Sequence, residues 1–399
     1  MTMTTSVLQD QRQADNLDIS KFGPISLVTI QPTSFCNLDC DYCYLPDRHL
    51  KKHLSIELID PIFRQIFLSP FFRSNFNVCW HSGEPLVLPV SFYQQAFAAA
   101  STANERYNAT EFQFSYAYQT NGTLINQAWC DFFKQHSVYI GVSVDGPAFL
   151  HDTHRLTRGR RSTHALTMRG IKYLQDNEIP HSAIAVITQE SLKYPEEVFN
   201  FFLENQIATV GFNFEETVGS NEKSSLDNEK NEAMLQEFVR RVWVLAKQNA
   251  DKIKLREFEL LARVIYSGER IRYTEVNHPF AAVNIDSSGN FSTFDPEMLP
   301  ATIHPYGNLI LGNVLHDSFE SVCQSEKFLW IHRDMQSGIQ KCVESCPYFG
   351  VCGGGTGGSK YWENGTFNSS QTQACRNRTQ IVTDIIVEEL EKELAIATV

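Results

Sequence analysis

Residues 27–43 read LVTIQPTSFCNLDCDYC. The first four, Leu27-Val28-Thr29-Ile30, form a short apolar run rich in β-branched residues, so a buried strand is expected between Ser26 and Pro32. The run leads directly into Cys36, Cys40 and Cys43, spaced C-x3-C-x2-C. Folds with parallel strands keep their ligands at the C-terminal ends of those strands. Three soft thiolates on such a loop suit iron–sulfur or zinc. A structural zinc site wants four ligands, and the local fourth candidates are His49 and His53. An iron–sulfur cluster held by three cysteines leaves one iron open for another ligand.

Working outward, strand-like runs recur at 76–80, 112–118, 138–144, 182–187 and 209–214. Helical periodicity fills the gaps at 56–67 (Ser55 as N-cap), 92–103, 128–134, 164–176 and 196–204. Six β–α alternations with near-continuous apolar strands predict an α/β fold with a parallel sheet. Six units are too few for a closed eight-stranded barrel, so a partial (β/α)6 barrel is expected over 21–218. Residues 1–20 read as a flexible tail. Residues 219–276 read as a polar linker followed by bridging helices near 232–249 and 255–267. Residues 277–380 form a second, cysteine-rich unit with a helix near 318–335. An amphipathic helix spanning about 377–395 closes the chain, with 381–399 as its C-terminal element.

The chain has 399 residues, 42% hydrophobic and 20% charged, with a net charge of -12. That balance permits a large core and disfavours nucleic acid as a partner. No apolar run of 18 residues suggests a membrane span, and the polar N-terminus does not read as a signal peptide. A cytoplasmic location is expected. Ten cysteines in that compartment read as metal chemistry before disulfides.

Other strand ends carry polar turns: His81-Ser82-Gly83-Glu84-Pro85, Gln119-Thr120-Asn121-Gly122 and Ser143-Val144-Asp145-Gly146-Pro147. Each alone would read as an ordinary turn. Their common placement at one end of successive strands is the informative observation. A second set, Cys342, Cys346, Cys352 and Cys375, suits either zinc or a fully ligated [4Fe–4S] cluster. Cys79, Cys130 and Cys323 read as buried, unreactive thiols.

Cys36-x3-Cys40-x-Tyr42-Cys43 is similar to the signature of the radical SAM superfamily, in which a [4Fe–4S] cluster binds S-adenosylmethionine at its open iron. The resemblance implies that Ser82, Gly83, Glu84 and Pro85 stand where Gly-Gly-Glu-Pro holds the methionine amino group, with Ser82 replacing the first Gly. It places Tyr42, Asn121, Ser143 and Asp145 around the cofactor and Ile184 to Thr188 against adenine. Arg155 is the candidate partner of the cofactor carboxylate, with Arg158, Arg161 and Arg169 competing. The second cysteine set resembles the SPASM extension of radical SAM peptide-modifying enzymes. Phe294 and Thr356 stand where that family has cysteines, and no cysteine precedes Gly289 at the usual distance. These losses imply one auxiliary [4Fe–4S] cluster rather than two.

Asp295 matches the residue proposed as catalytic base in sulfatase-maturing enzymes, with Glu215 and Glu216 as alternatives. Pro24–Val28, Gln31–Cys40 and Tyr42–Arg48 resemble the cyclophane-forming maturases of glycine-rich-repeat precursor clusters (GrrM/OscB type). That likeness implies a 5′-deoxyadenosyl radical route to a three-residue cyclophane. An aromatic ring carbon is joined to a β-carbon in a ribosomal precursor peptide, with flavodoxin or ferredoxin as electron donor. The alternatives are another radical SAM modifier, such as an anaerobic sulfatase-maturing enzyme, and a zinc-stabilised binding module without catalysis.

Overall fold

The computed structural model describes residues 17–397, so the expected tail lies outside the described residues as far as residue 16. From there the chain is packed. Leu17 and Ile19 lie against the core, and Ile19–Lys21 form a single 3-10 turn.

Six strands appear where apolar runs predicted them: β1 (Leu27–Ile30), β2 (Phe76–Trp80), β3 (Phe114–Thr120), β4 (Tyr139–Ser143), β5 (His181–Ile187) and β6 (Thr209–Phe214). They pair in chain order and all in parallel. Helices connect them: α1 (Ile59–Leu68), α2 (Val90–Tyr107), α3 (Gln127–Gln135), α4 (Ala148–His154), α5 (His164–Asp176) and α6 (Pro195–Glu204). In α1 the buried residues Ile59, Ile62, Phe63, Ile66 and Phe67 recur at helical spacing and form one apolar stripe. Each such side chain contributes about 1.5–3 kcal/mol when fully buried. Helix α4 is not anticipated by sequence periodicity, because only Leu150 and His151 of its seven residues are buried.

Beyond β6 come α7 (Glu229–Gln248), β7 (Lys254–Leu255) and α8 (Arg256–Ser267). The chain then returns to the other side of the sheet. Strand β8 (Ala282–Ile285) pairs in parallel with β1, β9 (Asn290–Thr293) runs antiparallel to β8, and β10 (Gly312–Asn313) antiparallel to β9. The result is one ten-stranded sheet in the order β10-β9-β8-β1-β2-β3-β4-β5-β6-β7. The cysteine-rich segment therefore shares the main sheet. The signal is a run of four buried residues, too short for periodicity to separate from a loop.

The helix expected near 318–335 is two pieces, Phe319–Val322 and α9 (Glu326–Ser345). A π-turn over Arg376–Gln380 leads into α10 (Ile381–Ala397). Aromatic side chains fill much of the core. Trp80, Tyr93, Tyr118 and Trp129 interlock between the sheet and its helices. At the position where the SPASM pattern has a cysteine, Phe294 instead stacks on Phe328, which stacks on Phe280.

Candidate functional site

The loops that follow β1 to β6 surround a cavity of about 610 Å³. Cys36, Cys40 and Cys43 line it together, as do Tyr42, Gly83, Glu84, Asn121, Ser143 and Arg155. Ser82, Pro85 and Asp145 are buried and lie outside this lining. Ile184 and Val186, at the end of β5, supply an apolar face.

Backbone contacts fix the three-thiol loop. Cys36 N–H donates to Arg48 O at 3.0 Å, and Asp39 N–H to Leu156 O at 2.8 Å. Arg48 donates to Cys40 O at 3.1 Å, and Arg158 Nε to Cys36 O at 2.9 Å. Arg158 thus clamps the loop backbone, and Arg161 and Arg169 are exposed, which leaves Arg155 as the member of that group in the cavity. Burial pushes the Cys36 thiol up to about 12, with the Glu84 charge adding to it, and the Cys40 thiol up to about 11. Coordination by a metal reverses that preference, because a ligating thiol is deprotonated outright.

A buried ion pair supports the loop from below. Arg155 Nε and Nη2 donate to the two oxygens of Asp145 at 2.9 and 3.0 Å, both residues being under 10% exposed. Val186 N–H donates to the same carboxylate at 2.9 Å, as does the Tyr42 hydroxyl. Burial raises the Asp145 pKa, but Arg155 more than offsets it and holds the carboxyl below its usual range. Two of the Arg155 nitrogens are therefore engaged within the protein. Glu84 is a second brace: its carboxylate accepts from Leu86 N–H, Thr120 Oγ1 and Asn121 N–H at 2.7–2.9 Å. Burial pushes it up to about 7.

Ser82 and Gly83 both have positive φ, 77° and 57°. A Cβ on Gly83 would meet Phe35 O at 2.5 Å and Thr33 O at 2.6 Å. The backbone of the β2 loop is thus packed directly onto the cysteine loop, which only glycine permits. Ser82 carries the left-handed conformation despite its side chain.

Cys352 lines the same cavity. It feels the charges of Cys346 and Cys342, and Cys375 feels those of Cys352 and Cys346, so the fold brings all four together. Gly353, Gly354 and Gly355 all have positive φ and turn the chain beside Cys352. Lys360, 4% exposed and hydrogen-bonded to Cys342, is a buried cation amid these thiols. Nothing in its sequence context singled it out. Among the described residues, no three His, Cys, Asp or Glu side chains are placed to hold one metal ion.

The remaining wall is charged. Arg378 pairs with Glu216 at 3.1 Å, and Ser359 donates to the other Glu216 oxygen at 3.0 Å. Glu215 accepts from Ser225 and Asn221 and orders the loop after β6. Asp295 is 4% exposed and absent from the lining; Gly358 N–H donates to it at 2.7 Å. Arg378 and Glu297 line the cavity and went unrecognised in the sequence.

Two observations fit these residues to a cluster with bound S-adenosylmethionine: three thiols of one loop gathered at the cavity, and a glycine cradle beside an apolar strand end. The Radical SAM superfamily model matches residues 30–202. An uncharacterised protein of Synechocystis sp. is 54% identical over 382 residues, 96% of each chain. The serine-type anaerobic sulfatase-maturating enzyme of Klebsiella aerogenes is 35% identical over 167 residues, 41% of this chain and 40% of that one. Among solved structures, native anSMEcpe with bound AdoMet and Cp18Cys peptide superposes with a TM-score of 0.76 at 17% identity, covering 92% of this chain and 98% of that one. Streptococcus suis SuiB bound to precursor peptide SuiA gives 0.62 at 16% identity, covering 93% and 81%. At these identities the structures establish the shared fold. Among the described residues, no helix is long and apolar enough to cross a membrane.

Proposed function

This chain belongs to the radical SAM superfamily and is an enzyme, and from that premise we propose that it is a peptide maturase. In this reading it joins an aromatic ring carbon to a nearby β-carbon, forming a three-residue cyclophane in a ribosomal precursor peptide. The observation that carries it is the shared cavity, lined by Cys36, Cys40 and Cys43 and also by Cys352. Forming such a bond removes two hydrogens, so hydrogen abstraction and electron disposal must face one substrate.

Cys36, Cys40 and Cys43 would hold the cluster that carries S-adenosylmethionine, and Cys342, Cys346, Cys352 and Cys375 one auxiliary [4Fe–4S] cluster. Bound there, these groups supply one-electron chemistry that removes a hydrogen atom from an unactivated carbon and accepts the electron left over. The chain does the rest. Ile184 and Val186 offer an apolar face for a purine. Gly83 lets the backbone approach closely, and Asn121 and Ser143 point polar groups inward. The Asp145–Arg155 pair fixes Tyr42 and the loop against displacement. The peptide-bound relatives support a peptide as the substrate. A flavodoxin- or ferredoxin-type protein would deliver the electron.

The second reading, formylglycine formation in a sulfatase, is favoured by the identity to sulfatase-maturating enzymes. Phe294 and Thr356, which replace two cysteines of the SPASM pattern, favour the first. The deciding experiment is low-oxygen co-expression with the short peptide encoded beside the gene, read by mass spectrometry. Crosslinking removes about two mass units per bond and blocks fragmentation between an aromatic residue and its neighbour. An unmodified peptide from cells whose enzyme carries intact clusters overturns the cyclophane reading.

A further inference from the structure

Five carboxylates line the cavity: Glu84, Glu215, Glu216, Glu257 and Glu297. Four are engaged. Glu84 braces the ends of β2 and β3, and Glu215 orders the loop after β6. Glu216 pairs with Arg378, while Glu257 accepts from Phe212 N–H at 2.8 Å and pairs with Arg256. Glu297 differs. Among the described residues its carboxylate accepts a hydrogen bond only from its own backbone N–H.

Local structure explains how Glu297 reaches the cavity when Asp295 does not. Pro296–Met298 form a 3-10 turn, and Gln31 Nε2, just beyond β1, donates to Pro296 O at 3.3 Å. The turn sends the side chains at 295 and 297 in different directions. Asp295 points to Gly357 and Gly358, where a Cβ would come within 3.5 Å of its Oδ2. Glu297 faces the cavity near Tyr44, which follows Cys43, and its charge helps raise the Tyr44 hydroxyl. It thus sits between the cysteine loop and the Glu216–Arg378 pair.

We propose that Glu297 is the proton acceptor of the crosslinking step, a role that rests on the maturase reading above. The β-carbon, having lost a hydrogen atom, bonds to the ring carbon, which leaves the ring with one hydrogen and one electron in excess. The carbon–hydrogen bond breaks, the proton goes to the Glu297 carboxylate, and the electron goes to an acceptor of the iron–sulfur class on the Cys342 set. Aromaticity is restored. The titratable and charged groups close enough to act on Glu297 are Asp295, Glu216, Arg378 and Tyr44, the last as a neutral hydroxyl. Burial pushes Asp295 up to about 8, and the Glu297 charge adds to that. Burial also raises Glu297, toward the range where a general base works best near neutral pH.

The test uses holoenzyme reconstituted without oxygen, with S-adenosylmethionine, dithionite and the peptide encoded beside the gene. Wild type, Glu297→Gln, Glu297→Asp and Asp295→Asn are first matched for iron content and absorbance. Glu297→Gln is expected to lower crosslinked peptide per 5′-deoxyadenosine by about a hundredfold or more. Glu297→Asp should restore part of it, and Asp295→Asn should lose at least about tenfold less than Glu297→Gln. A wild-type ratio in Glu297→Gln, or a larger loss in Asp295→Asn, overturns the proposal. A second measurement needs no substrate: carbodiimide coupling of a small amine to the folded protein, mapped by peptide mass. Glu297 should be labelled and Asp295 protected, and an unlabelled Glu297 overturns the proposal. Failure of wild type to crosslink the peptide counts against the maturase reading alone, and the labelling then decides on Glu297.

Discussion

Cys36, Cys40 and Cys43 lie on one loop leaving a central strand, whereas Cys342, Cys346, Cys352 and Cys375 come from the ends of three helical segments. The first set inherits its geometry from strand register and a few backbone hydrogen bonds. The second exists only once α9, the glycine turn at 353–355 and the helical turn Gln373–Cys375 have packed together. The first set is also backed by a buried ion pair, Asp145 with Arg155, while the second has Lys360 buried against Cys342 and the Arg378 charge beside Cys352 and Cys375. Local order therefore suits the first set to the proposed cluster with an open iron. The second gains its position against the cavity from tertiary packing.

Substitutions should separate the two. Cys43→Ala should abolish S-adenosylmethionine cleavage, read as loss of 5′-deoxyadenosine, because two thiolates cannot hold the open-iron cluster. Cys352→Ala should reduce bound iron from about eight to about four per chain and stop crosslinking, yet leave uncoupled cleavage measurable. Equal loss of cleavage in both variants would erase the distinction. Arg155→Met leaves Asp145 buried without a counter-charge and should cost about 3–5 kcal/mol in chemical denaturation. The same change at Arg158, an exposed loop clamp, should cost under about 1 kcal/mol. Gly83→Ala drives a Cβ into Phe35 O and Thr33 O and so shifts the cysteine loop; it should raise the apparent Kd for S-adenosylmethionine by at least about tenfold, equivalent to about 1.4 kcal/mol, and lower bound iron as well.

The parts legible in the sequence were those written contiguously. β1 to β6 showed as apolar runs, and the cysteine loop and strand-end turns fell at one edge because parallel strands place them there. Three features were not legible. β8 is only four residues long, and its partner β1 lies 255 positions earlier at Leu27↔Ala282. The engagement of Arg155 by Asp145 depends on a loop-to-helix return that spacing does not encode. The choice between positions 295 and 297 depends on a turn at Pro296, where a single residue reverses what faces the cavity. Each is decided by tertiary packing, to which local periodicity is blind.

Strand β1 hydrogen-bonds to β2 on one side and to β8 on the other. It is thus the beam from which both cysteine-bearing parts of the chain are hung. Electron tunnelling weakens steeply with each added ångström, and a hinge between two bodies would make the gap between redox centres vary from moment to moment. A shared beam removes that hinge. With the proposed clusters in place, the span an electron would cross would be set by the covalent chain and its sheet, and substrate entry would be accommodated by the loops at the rim while that span stayed constant.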